Sequence, residues 1–210
     1  MSKQQVARAL VDRHGTTFAE QAGIRLKDTP GPLYQLLVLS VLLSARISSD
    51  IAVAAASELF KAGFRTPKAM RDATWQERVD ALGRGGYRRY DERTATMLGD
   101  GADLVLDRWK GDLRTLHDEA DGPSGVAKLL QEVPGIGPTG ASIFCREVQG
   151  VWPDLAPYLD DLVIKGAQRV GLPGTPSRLA SYVDEDELPR LAAACVRAAR
   201  SKKVAEDVGG

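Results

Sequence analysis

The run from Leu33 to Ala45 is apolar at nearly every position and stops at Arg46. Read as a helix opened by Pro32, it spreads Leu33, Leu36, Leu37, Val41 and Leu43 over several faces at once, so no side is polar enough for solvent. Such a helix must be enclosed by others. It is thirteen residues long, short of the roughly 20 that cross a bilayer. The opening segment Met1 to Leu10 lacks the continuous apolar stretch of a signal peptide. The expectation is a buried helix in a chain with no membrane partner.

The rest of the chain supplies the enclosure. No stretch alternates apolar and polar residues for long, whereas helix starts and stops recur, so the fold class reads as all-α. Ser48, Ser49 or Asp50 can cap a helix carrying Ile51 to Lys61 and ending at Gly63, and Thr66-Pro67 starts a short one. Thr74 with Glu77 three residues on makes a capping box, and Gly83 can stop that helix. Longer or later helices are expected over Tyr90 to Arg108, Ser124 to Glu132, Asp161 to Val170, Pro176 to Tyr182 and Glu187 to Arg200. An irregular polar stretch follows Arg108, and the last residues are expected to fray.

At 210 residues with 43% hydrophobic and 27% charged side chains, the chain can bury one sizeable core or two small lobes sharing one, so a single compact unit over residues 1–210 is expected. Its 28 basic and 28 acidic residues cancel, so a polyanion partner must be met by a local patch. The densest candidate is Arg84, Arg88, Arg89 and Arg93 interleaved with Tyr87 and Tyr90, diluted by Asp91 and Glu92. Cys145 and Cys195 are too few for a disulfide framework, a zinc site or a four-thiolate cluster, and point to a reducing cytoplasm. Cys145 reads as inert core, Trp75, Trp109 and Trp152 as packing residues, and His14 and His117 show no metal spacing.

Between two helical patterns stands Val133-Pro134-Gly135-Ile136-Gly137. Glycines at i and i+2 permit a turn that side-chain-bearing residues resist, and the turn presents backbone N–H groups at the start of the second helix. With the helix dipole, these suit a phosphate. A helix corner without a ligand has the same spacing.

In its wider setting, Leu129 to Ser142 resembles the helix-hairpin-helix of the endonuclease III superfamily of DNA glycosylases (HhH-GPD). Upstream, Leu42-Leu43-Ser44-Ala45-Arg46 is similar to that family's leucine-leucine-serine-alanine-glutamine segment, and Gly85-Gly86-Tyr87 occupies the place of its wedge loop. Downstream, Leu159-Asp160, with Lys165 and Arg169 following, resembles the stretch that holds the family's catalytic aspartate. The likeness covers roughly residues 30 to 172 in order.

The resemblance implies two helical lobes with an active-site cleft between them: approximately 32–137 as a helical-barrel lobe ending in the hairpin, and 1–31 plus 138–210 as a second lobe formed by both termini. It implies double-stranded DNA carrying a damaged or mispaired base as partner, contacted by Gly135, Gly137, Thr139, Arg46, Tyr87, Arg88 and Arg89. The base would be flipped out and its N-glycosidic bond cut, with Asp160 as the carboxylate beside the sugar. Asp161 competes, because Asp160-Asp161 also looks like the paired acids of alkylbase glycosylases, and either can simply cap the next helix. Arg46 stands where the family has a gap-filling glutamine.

Two departures shape the expectation. Where bifunctional members carry the lysine that forms a Schiff base, this chain has Thr139, so a monofunctional enzyme is expected. The family's four-cysteine iron–sulfur site is missing, so no cofactor is expected and the helices around Leu191, Ala194 and Val196 must close their lobe by packing. An alkali-metal ion at the carbonyls of Val133 and Ile136, a monomer, and a cytoplasmic location (at the nucleoid in a bacterium) complete the implied picture. A non-catalytic DNA-damage-binding protein, and an abasic-site lyase or endonuclease with a relocated lysine, remain alternatives.

Overall fold

The computed structural model describes residues 1–209 and is helical throughout, with no strand among them. It divides into two compact units, residues 19–144 and residues 1–18 with 145–210. The resemblance places this division near 32 and 137; the observed interior unit starts at Ala19 and runs on into the helix after the hairpin.

The chain opens with α1 (Lys3–His14) and the single turn α2 (Phe18–Gln21), and in the interior unit the apolar run forms α3 (Pro30–Ser44). Every residue of α3 from Leu33 to Leu43 except Gln35 is buried, the enclosure its sequence demanded. Ser40, also buried, donates its hydroxyl to the Leu36 carbonyl at 2.8 Å, so its polar atom costs little inside. α3 packs against α4 (Ser49–Lys61) and α8 (Leu113–Glu119), while α5 (Pro67–Asp72) and α6 (Trp75–Arg84) pack against α7 (Asp91–Trp109), and α6 also against α4. α9 (Gly122–Leu130) and the start of α10 (Pro138–Val148) complete the unit. Ser48 caps α4 through the Ile51 N–H at 3.3 Å, and the Thr74–Glu77 capping box opens α6. Arg78 is buried and donates to the carbonyls of Met70, Ala73 and Ala95, tying α5, α6 and α7 together. This matters because a desolvated guanidinium left unpaired would be costly.

The second unit gathers α1, α11 (Asp161–Arg169), α12 (Pro176–Ala180), α13 (Leu188–Arg200) and α14 (Lys202–Gly209). Its core joins Val6, Leu10 and Val11 of α1, Val163 and Ala167 of α11, Leu191, Ala194 and Val196 of α13, and Ala205 and Val208 of α14. The small residues of α13 let α11 approach so closely that a Cβ on Gly166 would lie 1.8 Å from the Cys195 carbonyl oxygen. The end of α1 is pinned to α14 and α13: Arg13 donates to the Asp207 carbonyl at 2.8 Å, His14 Nε2 lies 2.9 Å from Asp207 Oδ2, and Arg197 donates to the His14 carbonyl at 2.8 Å. Arg197 also covers the Phe18 ring at 4.5 Å.

Several elements differ from expectation. The polar stretch after Arg108 contains α8, capped by Asp112 and anchored by buried Leu113 and Leu116. The tail expected to fray is α14, held because Ala205 and Val208 enter the core. Trp109 and Trp152 are buried, but Trp75 is 41% exposed and donates its indole N–H to Thr96 Oγ1 at 3.1 Å.

Candidate functional site

The hairpin follows from its residues. After α9 the chain turns at Val133, where the Ile136 N–H donates to the Val133 carbonyl at 3.0 Å, and buried Val133 and Ile136 anchor the bend. Gly135 sits at φ +89°, which disfavours a side chain, and a Cβ there would meet Val41 Cγ1 at 3.0 Å. Its carbonyl accepts the Ser44 hydroxyl at 3.3 Å, docking the turn on the end of α3. The expectation that both glycines need special backbone holds only for Gly135; Gly137 lies outside the left-handed region. A Cβ on Gly137 would meet nothing, so its bare backbone faces open space. Its carbonyl accepts the Ala141 N–H at 3.0 Å and so opens α10, with Pro138 and Thr139 exposed. N–H groups of such a first turn lack intrahelical acceptors and sit at the positive end of the dipole.

A cavity of about 300 Å³ lies beside the turn within the interior unit, lined by Ser44, Arg46, Tyr87, Tyr90, Arg93 and Gly135 among others. The structure thus brings Arg46 next to the hairpin. Arg88 and Arg89 are exposed, with Arg89 over the Tyr90 ring at 5.2 Å, while Arg84 pairs with Glu58 at 3.5 Å.

Tyr87 departs from its expected role as a protruding wedge: it is 1% exposed, and its hydroxyl meets Thr94 Oγ1 at 3.2 Å. Burial pushes its pKa above the usual tyrosine value. The cause is the end of α6. The Tyr87 N–H donates to the Leu82 carbonyl and the Gly86 N–H to that of Gly83, with Gly86 at φ +83°. These are the paired bonds of a Schellman motif, whose next residue turns inward against the helix. The dipeptide Gly85-Gly86 before an aromatic was the signal for this.

In the other unit, Asp160 is the N-cap of α11: its Oδ1 accepts the Val163 N–H at 3.1 Å. The same oxygen lies 3.7 Å from Arg146 Nη1, and among the described residues no hydrogen bond or ion pair is seen at Oδ2. The Asp160 side chain is 21% exposed and that of Arg146 only 9%. Burial pushes the Arg146 guanidinium below its ordinary pKa, against the pull of the Asp160 and Glu147 carboxylates. Gln149 fixes the approach to Asp160, accepting the Tyr158 N–H at 2.8 Å and donating to the Tyr158 carbonyl at 3.1 Å and the Arg146 carbonyl at 2.8 Å.

Asp161 is exposed in the first turn of α11, and Lys165 is exposed further along it. Arg169 binds the Ala198 and Ala199 carbonyls, tying α11 to α13. Sequence reasoning missed Arg146 and Gln149. Their signal was a cluster of long polar side chains, Arg146, Glu147 and Gln149, at the end of an otherwise apolar helix.

Cys145 and Cys195 are buried, and burial pushes both thiols up to about 12. Two inert thiols do not fit a four-thiolate iron–sulfur cluster. Among the described residues no group of three or more His, Cys, Asp or Glu could hold a metal ion.

No family model matches the chain. No curated protein matches it in sequence. In structure it is similar to a trapped covalent endonuclease III–DNA intermediate, an estranged-adenine complex, and to a non-covalent endonuclease III–DNA complex. Each has a TM-score of 0.51 at 18% identity, over 94% of this chain and 85% of that one. The chain therefore has an all-α fold of the endonuclease III type.

Proposed function

We propose that this chain is a monofunctional DNA glycosylase of base excision repair, acting on double-stranded DNA with a damaged or mispaired base. One observation carries this reading on an endonuclease III-like fold: a carboxylate, Asp160, held at Oδ1 by a helix N-terminus on a side chain that keeps 21% exposure. In the proposed reaction the flipped base leaves as the bond from C1′ to its nitrogen breaks, while a bond forms from C1′ to a water oxygen. Oδ2 takes the water proton, and the carboxylate charge stabilises the cationic sugar in the transition state. Gly137 and the first turn of α10 bind backbone phosphate, Arg46, Arg88 and Arg89 bind the strands, and an alkali-metal ion at the Val133 and Ile136 carbonyls would stiffen the turn.

Thr139 bears a hydroxyl, which cannot form an imine with the sugar, so the strand is left intact at the abasic site. The reading requires neither an iron–sulfur cluster nor any other redox cofactor. A panel of duplexes, each with one lesion, tests it. The expected result is base release by the wild type with strand breakage only after alkali, and no borohydride-trapped adduct. Asp160→Asn should abolish release and spare binding. Loss in Asp161→Asn instead would move the role by one residue. Binding without release on every duplex would favour a damage-binding protein, and a trapped adduct a lyase.

A further inference from the structure

The contact between Arg146 and Asp160 joins a buried cation to a partly exposed acid, and the distances say what kind of contact it is. Nη1 to Oδ1 is 3.7 Å, too long for a hydrogen bond, and Nη1 has no hydrogen-bond partner among the described residues. Leaving a charged donor unsatisfied inside a protein is costly, and a chain that keeps one there needs a reason. The backbone around the pair is fixed from both sides: Gln149 holds the carbonyl of Arg146 and both backbone polar groups of Tyr158, two residues before Asp160. The guanidinium and the carboxylate thus stand at a defined separation, 3.7 Å from Nη1 to Oδ1. The Val163 N–H pulls on that same Oδ1.

Resting on the glycosylase reading above, we infer that Arg146 is the positioning residue for the Asp160 carboxylate. It draws Oδ1 inward, fixes the plane of the carboxylate, and leaves Oδ2 as the oxygen that meets water and sugar. At 3.7 Å without a hydrogen bond, the guanidinium orients the acid without sharing a proton with it, so the negative charge stays available to a developing cation. Arg146 itself touches neither water nor sugar. Its unsatisfied donor is the cost of keeping that gap.

The test uses the full chain with Arg146→Met and Arg146→Lys, on whichever duplex the wild type turns over. Arg146→Met should lower single-turnover kcat about 100-fold, the scale of a misplaced general base, with KM for DNA unchanged. Arg146→Lys, which restores the cation on a similar stem, should recover most of that loss. A crystal structure of Arg146→Met should show the Asp160 carboxylate rotated away from the Val163 N–H. The inference is overturned if Arg146→Met keeps kcat within about threefold of wild type, raises KM alone, or is matched in its loss by Arg146→Lys with the fold intact by circular dichroism. If the wild type releases no base from any duplex, the glycosylase reading falls on its own account. The crystal structure then decides the positioning role: an Asp160 unmoved in Arg146→Met overturns it, and a rotated one sustains it.

Discussion

Gly166 lies where α11 meets α13, and replacing it with alanine measures how rigid that contact is. The added Cβ would sit 1.8 Å from the Cys195 carbonyl oxygen, 2.6 Å from its carbon and 3.1 Å from the Ala199 nitrogen. All three are backbone atoms, so no side chain can swing aside. Restoring an ordinary contact of 3.4 Å requires the helices to separate by about 1.6 Å, over a core that includes Val163, Ala167, Leu191 and Ala194. Overpacking of this kind costs about 1–3 kcal/mol, and backbone opposition puts it at the upper end.

Gly83→Ala is the internal control: it also lies in a helix, α6, and its Cβ would meet nothing. There alanine should gain up to about 1 kcal/mol from helix propensity. For a chain of this length each kcal/mol moves Tm by about 2–4 °C, so Gly166→Ala should melt about 4–12 °C below wild type and Gly83→Ala slightly above it. Thermal unfolding followed by circular dichroism at 222 nm reads both. Base release should fall with Gly166→Ala as well, because α11 carries Asp160 at its start. A Gly166→Ala protein melting at or above the wild-type temperature would refute the reasoning.

Two further outcomes follow from the same coordinates. Gly137→Ala adds a methyl into open space at an ordinary φ, so stability should change by less than about 0.5 kcal/mol. If the bare backbone meets phosphate, duplex affinity should drop about tenfold, the loss of one charge-assisted hydrogen bond, as read by fluorescence anisotropy; unchanged affinity would remove Gly137 from the interface. Burial pushes both thiols up to about 12 in the fold, against about 8.5 in an unfolded chain. Their contribution to stability is complete below the lower value and is lost as pH rises through the higher one. Urea melts between pH 8 and 11 should show this decline, and Cys145→Ala with Cys195→Ala should flatten it.

The parts of this fold that were legible in the sequence are local. The capping box at Thr74 and Glu77, the Ser48 cap and the turn at Gly135 are each settled within a few residues, and the uninterrupted apolar run of α3 predicted its own burial. What could not be read depends on partners far along the chain. Nothing within α14 says that it docks, because Asp207 meets Arg13 and His14 across more than 190 positions. Arg146 reads as a solvent-facing charge until the chain returns with Asp160, and Arg78 does so until three carbonyls from its neighbours close on it. Tyr87 was misread for a different reason: its arginine neighbours suggested a nucleic-acid contact, whereas the glycines before it terminate a helix and turn the ring inward.

The pairing of the first helix with the last two also governs how the protein is born. On a ribosome adding about 5–20 residues per second, α1 emerges ahead of α13 and α14 and waits roughly ten to forty seconds for them. The segment 19–144 can collapse meanwhile. Through that interval Val6, Leu10 and Val11 stand open to chaperones and to neighbouring nascent chains, and a stall late in translation strands them there.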